Sequence, residues 1–228
     1  MSSTSLRSQL AKPWAHERSL SVVLIFLLIN VVLIYPLSVS GITGHLVFGI
    51  GFGLVLVSGV AATTRNTVVL VAFTVVAVIS VVAHWVRYVN PTPPMQLADL
   101  CASLVSSALL TVILLVQVFR EGEVTSARVQ GAVAVYLLLA MTWAFAYAVI
   151  GSLDVNAFQE TVTVNPTEVD THRYMYFSFV TLTTLGFGDL SPAVGLPQAL
   201  TALEALLGQV FLVTLVARLV TLWVRQDD

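Results

Sequence analysis

Apolar residues run along this chain in stretches far longer than the one-sided stripe of a soluble helix, and polar punctuation breaks them at recognisable places. A membrane-crossing helix needs about 20 such residues. Six stretches fit: Leu20–Leu37, His45–Ala62, Thr67–Val86, Leu97–Phe119, Val129–Ile150 and Leu196–Val224. Pro36 with Ser38–Gly41 ends the first, and Thr63-Thr64-Arg65-Asn66 separates the second from the third. Asn90-Pro91-Thr92-Pro93-Pro94 divides the third from the fourth, and Arg120-Glu121-Gly122-Glu123 closes the fourth. The interval from Gly151 to Gly195 is much longer, and it holds an apolar stretch, Tyr174–Leu185, too short to span. That combination predicts a re-entrant segment, which is tolerated only where protein or water surrounds its backbone. The expected fold class is an all-α integral membrane protein of six helices, with the re-entrant segment between helices 5 and 6. Three regions follow: a short cytoplasmic N-terminus (1–19), a four-helix transmembrane domain (20–128) and a final unit (129–228).

Composition narrows the class. Of 228 residues 57% are apolar and only 10% are charged, with a mean hydropathy of +0.94. Soluble domains carry about 25% charged residues, so this chain lacks the charge to cover a water-facing surface. That excludes a soluble enzyme and a disordered regulator. The net charge of −2 gives no reason to expect a nucleic-acid partner, and the single cysteine, Cys101, excludes an internal disulfide and a cysteine metal site. With the N-terminus inside, Arg7, Lys12, Arg18, Arg65, Arg120, Arg128, Arg218 and Arg225 are cytoplasmic, and only Arg87 and Arg173 are outside. Eight against two orients the chain as a multi-pass cell-membrane protein with both termini cytoplasmic. Its compactness suggests a bacterial inner membrane. A cleavable signal peptide competes for the first stretch, since basic residues, an apolar run and Ser38-Val39-Ser40 fit that pattern too. The run is long for such a segment, and its removal would leave the remaining topology unchanged.

Candidate chemistry is concentrated between Tyr174 and Ser191. To aim successive carbonyls at one axis, an extended strand must alternate its handedness. Glycine takes positive φ without steric cost, so Gly186 and Gly188, two residues apart, permit that alternation. The predicted product is a row of oxygens that suits a cation shedding its water, with the Thr184 hydroxyl extending it. Upstream, Thr171–Thr183 is long enough for a helix of ~18 Å, and Asp170 or Thr171 offers a cap. If this helix enters from outside, the partial negative charge at its C-terminal end favours a cation below the oxygen row.

Thr-Leu-Thr-Thr-Leu-Gly-Phe-Gly-Asp at 181–189 resembles the signature of potassium channels, whose usual filter reads Thr-Val-Gly-Tyr-Gly followed by Asp. Residues 129–228 resemble that superfamily's pore domain of outer helix, pore helix, filter and inner helix. Residues 1–128 resemble only its general six-span plan. The resemblance implies potassium sites lined by the carbonyls of Thr184, Leu185, Gly186 and Phe187, with the Thr184 hydroxyl innermost and Gly188 at the outer mouth. Leu185 and Phe187 replace the commoner Val and Tyr, and Phe187 loses the hydroxyl that ties the filter to the pore helix. Asp189 in the family bonds a Trp thirteen residues upstream; here Tyr176 stands there, with a hydroxyl to offer. Thr181 and Thr183 complete the expected filter support, and Val180 stands where some members carry Glu. Gly208 lies where the family's inner helix bends to open, so the resemblance makes it the gating hinge; a packing glycine is the plainer reading.

Glu204 lies one turn outward of Gly208, inside an apolar stretch, where an unpaired charge costs ~2.5–3.5 kcal/mol. The expectation is a buried bracket bonding Ser178, Thr181 or Thr183; the alternative is a water-facing or protonated Glu. On the outer loop, Asp154, Glu160, Glu168 and Asp170 outnumber Arg173 and suggest a cation-attracting vestibule, and His172 is placed at a helix start. Gly49-Ile50-Gly51-Phe52-Gly53 also contains Gly-Phe-Gly, but no Thr pair precedes it, and its glycines fit close helix packing. The fourth stretch holds no Arg, so no voltage sensor is expected, and no cofactor or enzyme motif is seen. One pore loop cannot encircle an ion, and four chains about an axis would. The reading is a homotetrameric potassium-selective channel in the lipid bilayer, with K+ as permeant ion. Its rivals are a non-selective cation pore and a non-conducting subunit or secondary transporter.

Overall fold

The computed structural model describes residues 20–34, 42–62, 67–120, 125–160, 171–193 and 195–224. The first helix, α1, covers 20–34, its second half (Ile29–Ile34) wound as a π-helix. Then come α2 (Ile42–Ala62), α3 (Thr67–Val89), α4 (Pro93–Val118) and α5 (Ser126–Leu153), strand β1 (Phe158–Glu160), α6 (Thr171–Leu182), β2 (Leu190–Pro192) and α7 (Leu196–Val224). Four of these, α3, α4, α5 and α7, are long and apolar enough to cross a membrane, while the apolar portions Leu20–Val32 and Val47–Val60 of α1 and α2 are shorter.

Helix ends follow local chemistry. The expected fourth span begins at Leu97, but α4 starts at Pro93. Proline has no N–H to leave unsatisfied and its fixed φ suits the first helical turn, so Pro93 and Pro94 begin the helix instead of delaying it. Thr92, extended at φ −103° and ψ 151°, precedes them. The fifth span likewise lengthens, from Val129–Ile150 to Ser126–Leu153.

The chain is not purely helical. β1 and β2 pair antiparallel, with Phe158 opposite Pro192, Gln159 opposite Ser191 and Glu160 opposite Leu190. The Ala193 N–H donates to the Ala157 carbonyl at 2.8 Å and extends the ladder. This clip ties the chain leaving α5 to the chain after 181–189.

Hydroxyls and small residues set the helix contacts. Ser106 Oγ–H donates to Ser80 Oγ at 3.3 Å between α4 and α3, and Thr111 and Thr142 hydroxyls meet at 3.2 Å between α4 and α5. A Cβ on Gly49 would lie 1.8 Å from His84 Nε2, so the imidazole rests directly on the α2 backbone. Phe52 packs on Phe145, ring centroids 5.2 Å apart. The second Gly-Phe-Gly is thus a helix-packing surface. Along α3, Phe73, Ala77 and Ser80 face the protein, while Val68, Val75, Val78 and Val82 are exposed apolar residues.

Candidate pore-loop site

The segment expected to be re-entrant forms a helix of 12 residues, Thr171–Leu182, followed by seven residues without regular structure. Most of α6 is buried: Tyr174, Met175, Ser178 and Leu182 are at most 1% exposed. Its C-terminus closes with the Leu185 N–H donating to the Val180 carbonyl at 2.8 Å and the Thr184 N–H to Thr181 at 2.9 Å. This six-to-one and five-to-two pair is a Schellman cap, which places a left-handed residue just past the helix. That residue is Thr184, at φ 59°.

The alternation expected at Gly186 and Gly188 is present, at φ 60° and 76°, and Thr184 extends it by one step. A β-branched residue in the left-handed region is a strained outlier. The same φ serves the helix cap and the first step of alternation, so two constraints hold Thr184 there. Its hydroxyl donates to the Thr183 carbonyl at 2.7 Å. Leu185 and Phe187 side chains are exposed in the single chain, at 59% and 63%.

Phe187 stacks on Tyr176, with rings 1° from parallel and centroids 6.2 Å apart. The Tyr176 hydroxyl hydrogen-bonds the Asp189 carboxylate. The structure therefore brings Tyr176, Phe187 and Asp189 together, as the sequence suggests for the first and last.

Glu204, 0% exposed, meets α6 from α7. Ser178 Oγ–H bonds its Oε1, and the Tyr147 hydroxyl donates to Oε2 at 2.6 Å. Of the three hydroxyls expected at Glu204, only Ser178 arrives. Thr183 Oγ1–H turns back to the Phe179 carbonyl at 2.7 Å, and Thr181 is buried elsewhere on α6. Thr183, just past the end of α6, satisfies itself on the carbonyl four residues back, a local bond open to any threonine next to a helical turn. Tyr147, on α5, takes the remaining oxygen. In the sequence it stands in a uniformly apolar stretch, where nothing but its hydroxyl marks it.

Tyr147 also lies among rings, 5.1 Å from Phe177, 5.6 Å from Phe158 and 5.9 Å from Trp143. Two further bonds fasten α6 to α5: Ser178 shares its proton with the Ala140 carbonyl at 2.7 Å, and Tyr136 donates to the Leu182 carbonyl at 3.2 Å. Gly208 is buried against that carbonyl, since a Cβ there would lie 2.5 Å from Leu182 O. α7 runs without a break through Gly208, and its backbone packs there against the C-terminal end of α6. The acidic outer loop is less free than its composition suggests. Arg173 Nη1 donates to Glu160 Oε1 at 2.5 Å, and Asp154 Oδ1 accepts the Asn156 N–H at 2.9 Å. Glu168, Asp170 and the side chain of His45 lie outside the described residues. His172 is buried in the first turn of α6.

Among the described residues no cluster of three or more His, Cys, Asp or Glu side chains is placed to hold a metal. No curated protein and no solved structure matches the chain. Residues 133–225, which contain most of α5, all of α6, the alternating segment and α7, match a family model described as ion channel. That match, with four helices fit to cross a membrane, supports a multi-pass membrane protein whose C-terminal part is similar to the ion-channel pore-loop superfamily.

Proposed function

We propose that the protein is a potassium-selective channel, conducting passively through a homotetrameric pore of six-span subunits with both termini cytoplasmic. The carrying observation is the left-handed, alternating backbone at Thr184, Gly186 and Gly188, directly after a capped helix. Alternation turns successive carbonyls to one side, and a ring of such oxygens replaces the hydration shell of a cation. The oxygens of Thr184 to Gly188 serve as the filter. Tyr176, Asp189 and Glu204 brace it from behind, and the C-terminal dipole of α6 favours a cation beneath it.

The exposed surface supports the fourfold assembly. Leu206, Val210 and Val213 on α7 are 60%, 52% and 67% exposed in the single chain, on the face opposite Glu204 and Gly208. Helix faces of this kind find cover against lipid or neighbouring subunits. Four copies about an axis enclose the filter and close the ring without open ends.

Protein reconstituted in planar bilayers, with potassium on one side and sodium on the other, tests the reading. The expected reversal potential lies far from zero on the potassium side. A reversal near zero with robust current identifies a non-selective cation pore, and no current from folded protein points to a non-conducting subunit or transporter.

A further inference from the structure

Away from the filter, a cavity of about 20 Å³ lies where α2, α3 and α4 meet the first turn of α6. Its polar lining comes from elements far apart in sequence: His84 and Arg87 on α3, Asp99 on α4, Thr171 and His172 on α6. Asp99 is only 3% exposed. Its Oδ2 accepts from Arg87 Nη1 at 3.1 Å and lies 3.3 Å from His84 Nδ1. Its Oδ1 is buried with no hydrogen-bond partner among the described residues, and the same holds for Thr171 Oγ1.

The surroundings make this a built site. Gly49 admits the His84 ring against the α2 backbone, which holds the imidazole beside Asp99. Phe48 closes the α2 side, its ring edge-on to His172 at 5.6 Å. Arg87 pairs with Asp99, and the first turn of α6, where unsatisfied N–H groups carry partial positive charge, lines the same cavity. Glu160 and Arg173, the other charged pair at this end of the pore helix, are engaged with each other. A cavity of this size accommodates one water molecule, provided polar partners surround it. The two orphaned atoms are complementary toward water: a carboxylate oxygen accepts one of its protons, and a threonine hydroxyl donates to its oxygen.

We propose that this cavity is a water-binding site in which one molecule bridges Asp99 Oδ1 to Thr171 Oγ1, and that through this bridge α2–α4 hold the pore helix in position. α6 is a single rigid helix whose other end carries Leu182 and the cap at Thr184. Loosening its first turn lets its last turn move against Glu204 and Gly208, so the bridge sets how long the filter stays conductive. The regulatory half of this inference rests on the channel reading; the water site does not.

The test uses the full chain in planar bilayers, comparing wild type with Thr171→Val, Thr171→Ser, Asp99→Asn and the Asp99→Asn/Thr171→Val double variant. Thr171→Val is expected to shorten the mean open time about five- to tenfold, the equivalent of roughly one net hydrogen bond, with unit conductance and reversal potential unchanged. Thr171→Ser, which keeps the hydroxyl, restores wild-type open times. The double variant matches the more affected single variant, because both remove one shared bridge. Wild-type open times in Thr171→Val, or effects of the two substitutions that multiply, overturn the coupling. If Asp99→Asn does not assemble, the Thr171→Val and Thr171→Ser pair decides alone. A high-resolution electron cryomicroscopy map reads the site without current: density within hydrogen-bond reach of both atoms, lost in Thr171→Val, supports the bridge, and a dry cavity in wild type overturns it. A folded wild type that carries this water yet passes no ions defeats the channel reading and leaves the site standing.

Discussion

Glu204 shows how one side chain can be read from sequence yet only half understood. A carboxyl group inside an apolar helix requires partners, and Ser178 is one of them. The other, Tyr147, belongs to α5 and also anchors a cluster of rings, so Glu204 joins three helices at one point. Truncating it takes the acceptor from the buried Tyr147 hydroxyl, at ~1–3 kcal/mol, while Ser178 keeps the Ala140 carbonyl. Glu204→Ala is therefore expected to lower the thermal midpoint of the detergent-solubilised protein and alter open times, with Glu204→Gln milder because its carbonyl still accepts a bond. Fluorescence-detected size exclusion after heating and single-channel recording at matched potassium check both. Identical behaviour of wild type, Ala and Gln would make Glu204 a bystander.

At the scale of elements, α6 is fastened along its length and capped at a strained residue. Thr184 adopts a left-handed φ that glycine would take more readily, and the Schellman hydrogen bonds hold it there. The cap depends on its neighbour α7, which approaches closely because position 208 has no side chain. A methyl group there would press on the Leu182 carbonyl, a backbone atom that cannot swing aside. Gly208→Ala is expected to destabilise the assembly by about 1–3 kcal/mol, the usual cost of overpacking, and to alter filter closure. A melting series with Ala205→Gly as a control checks it: the control changes helix propensity on the same helix without the clash. A hinge without close packing predicts little change in melting for Gly208→Ala.

For the whole molecule, the charge pattern argues against steep voltage gating. Moving one charge through 100 mV is worth ~2.3 kcal/mol, and steep gating requires several such charges in each subunit. α4 contains no Arg or Lys, and Arg87 near the end of α3 is tied to Asp99. The limiting slope of open probability against voltage should give no more than about one elementary charge per chain. Several charges per chain would reveal a sensor in the helices before residue 129.

What the sequence determined by itself was local or one-dimensional. Hydrophobic length marked six stretches, four of which are helices long and apolar enough to cross a membrane, since the span requirement depends on residue count. Proline marked the turn between α3 and α4, and glycine spacing marked the alternation at Gly186 and Gly188, because those residues restrict or free φ whatever surrounds them. Thr184 could not be read this way: its φ is imposed by the cap and runs against its own preference. Tertiary structure decided which hydroxyl reaches Glu204, since Ser178, Thr181 and Thr183 lie on one short helix and only packing selects among them. It also paired β1 with β2, whose three-residue strands are too short to announce themselves. Asp99 carried a readable signal, a carboxylate early in an apolar stretch, but its meaning depended on Arg87, His84 and Thr171 arriving from other elements. Local covalent freedom is written residue by residue, whereas the pairing of polar groups inside an apolar bundle is settled only when the helices meet.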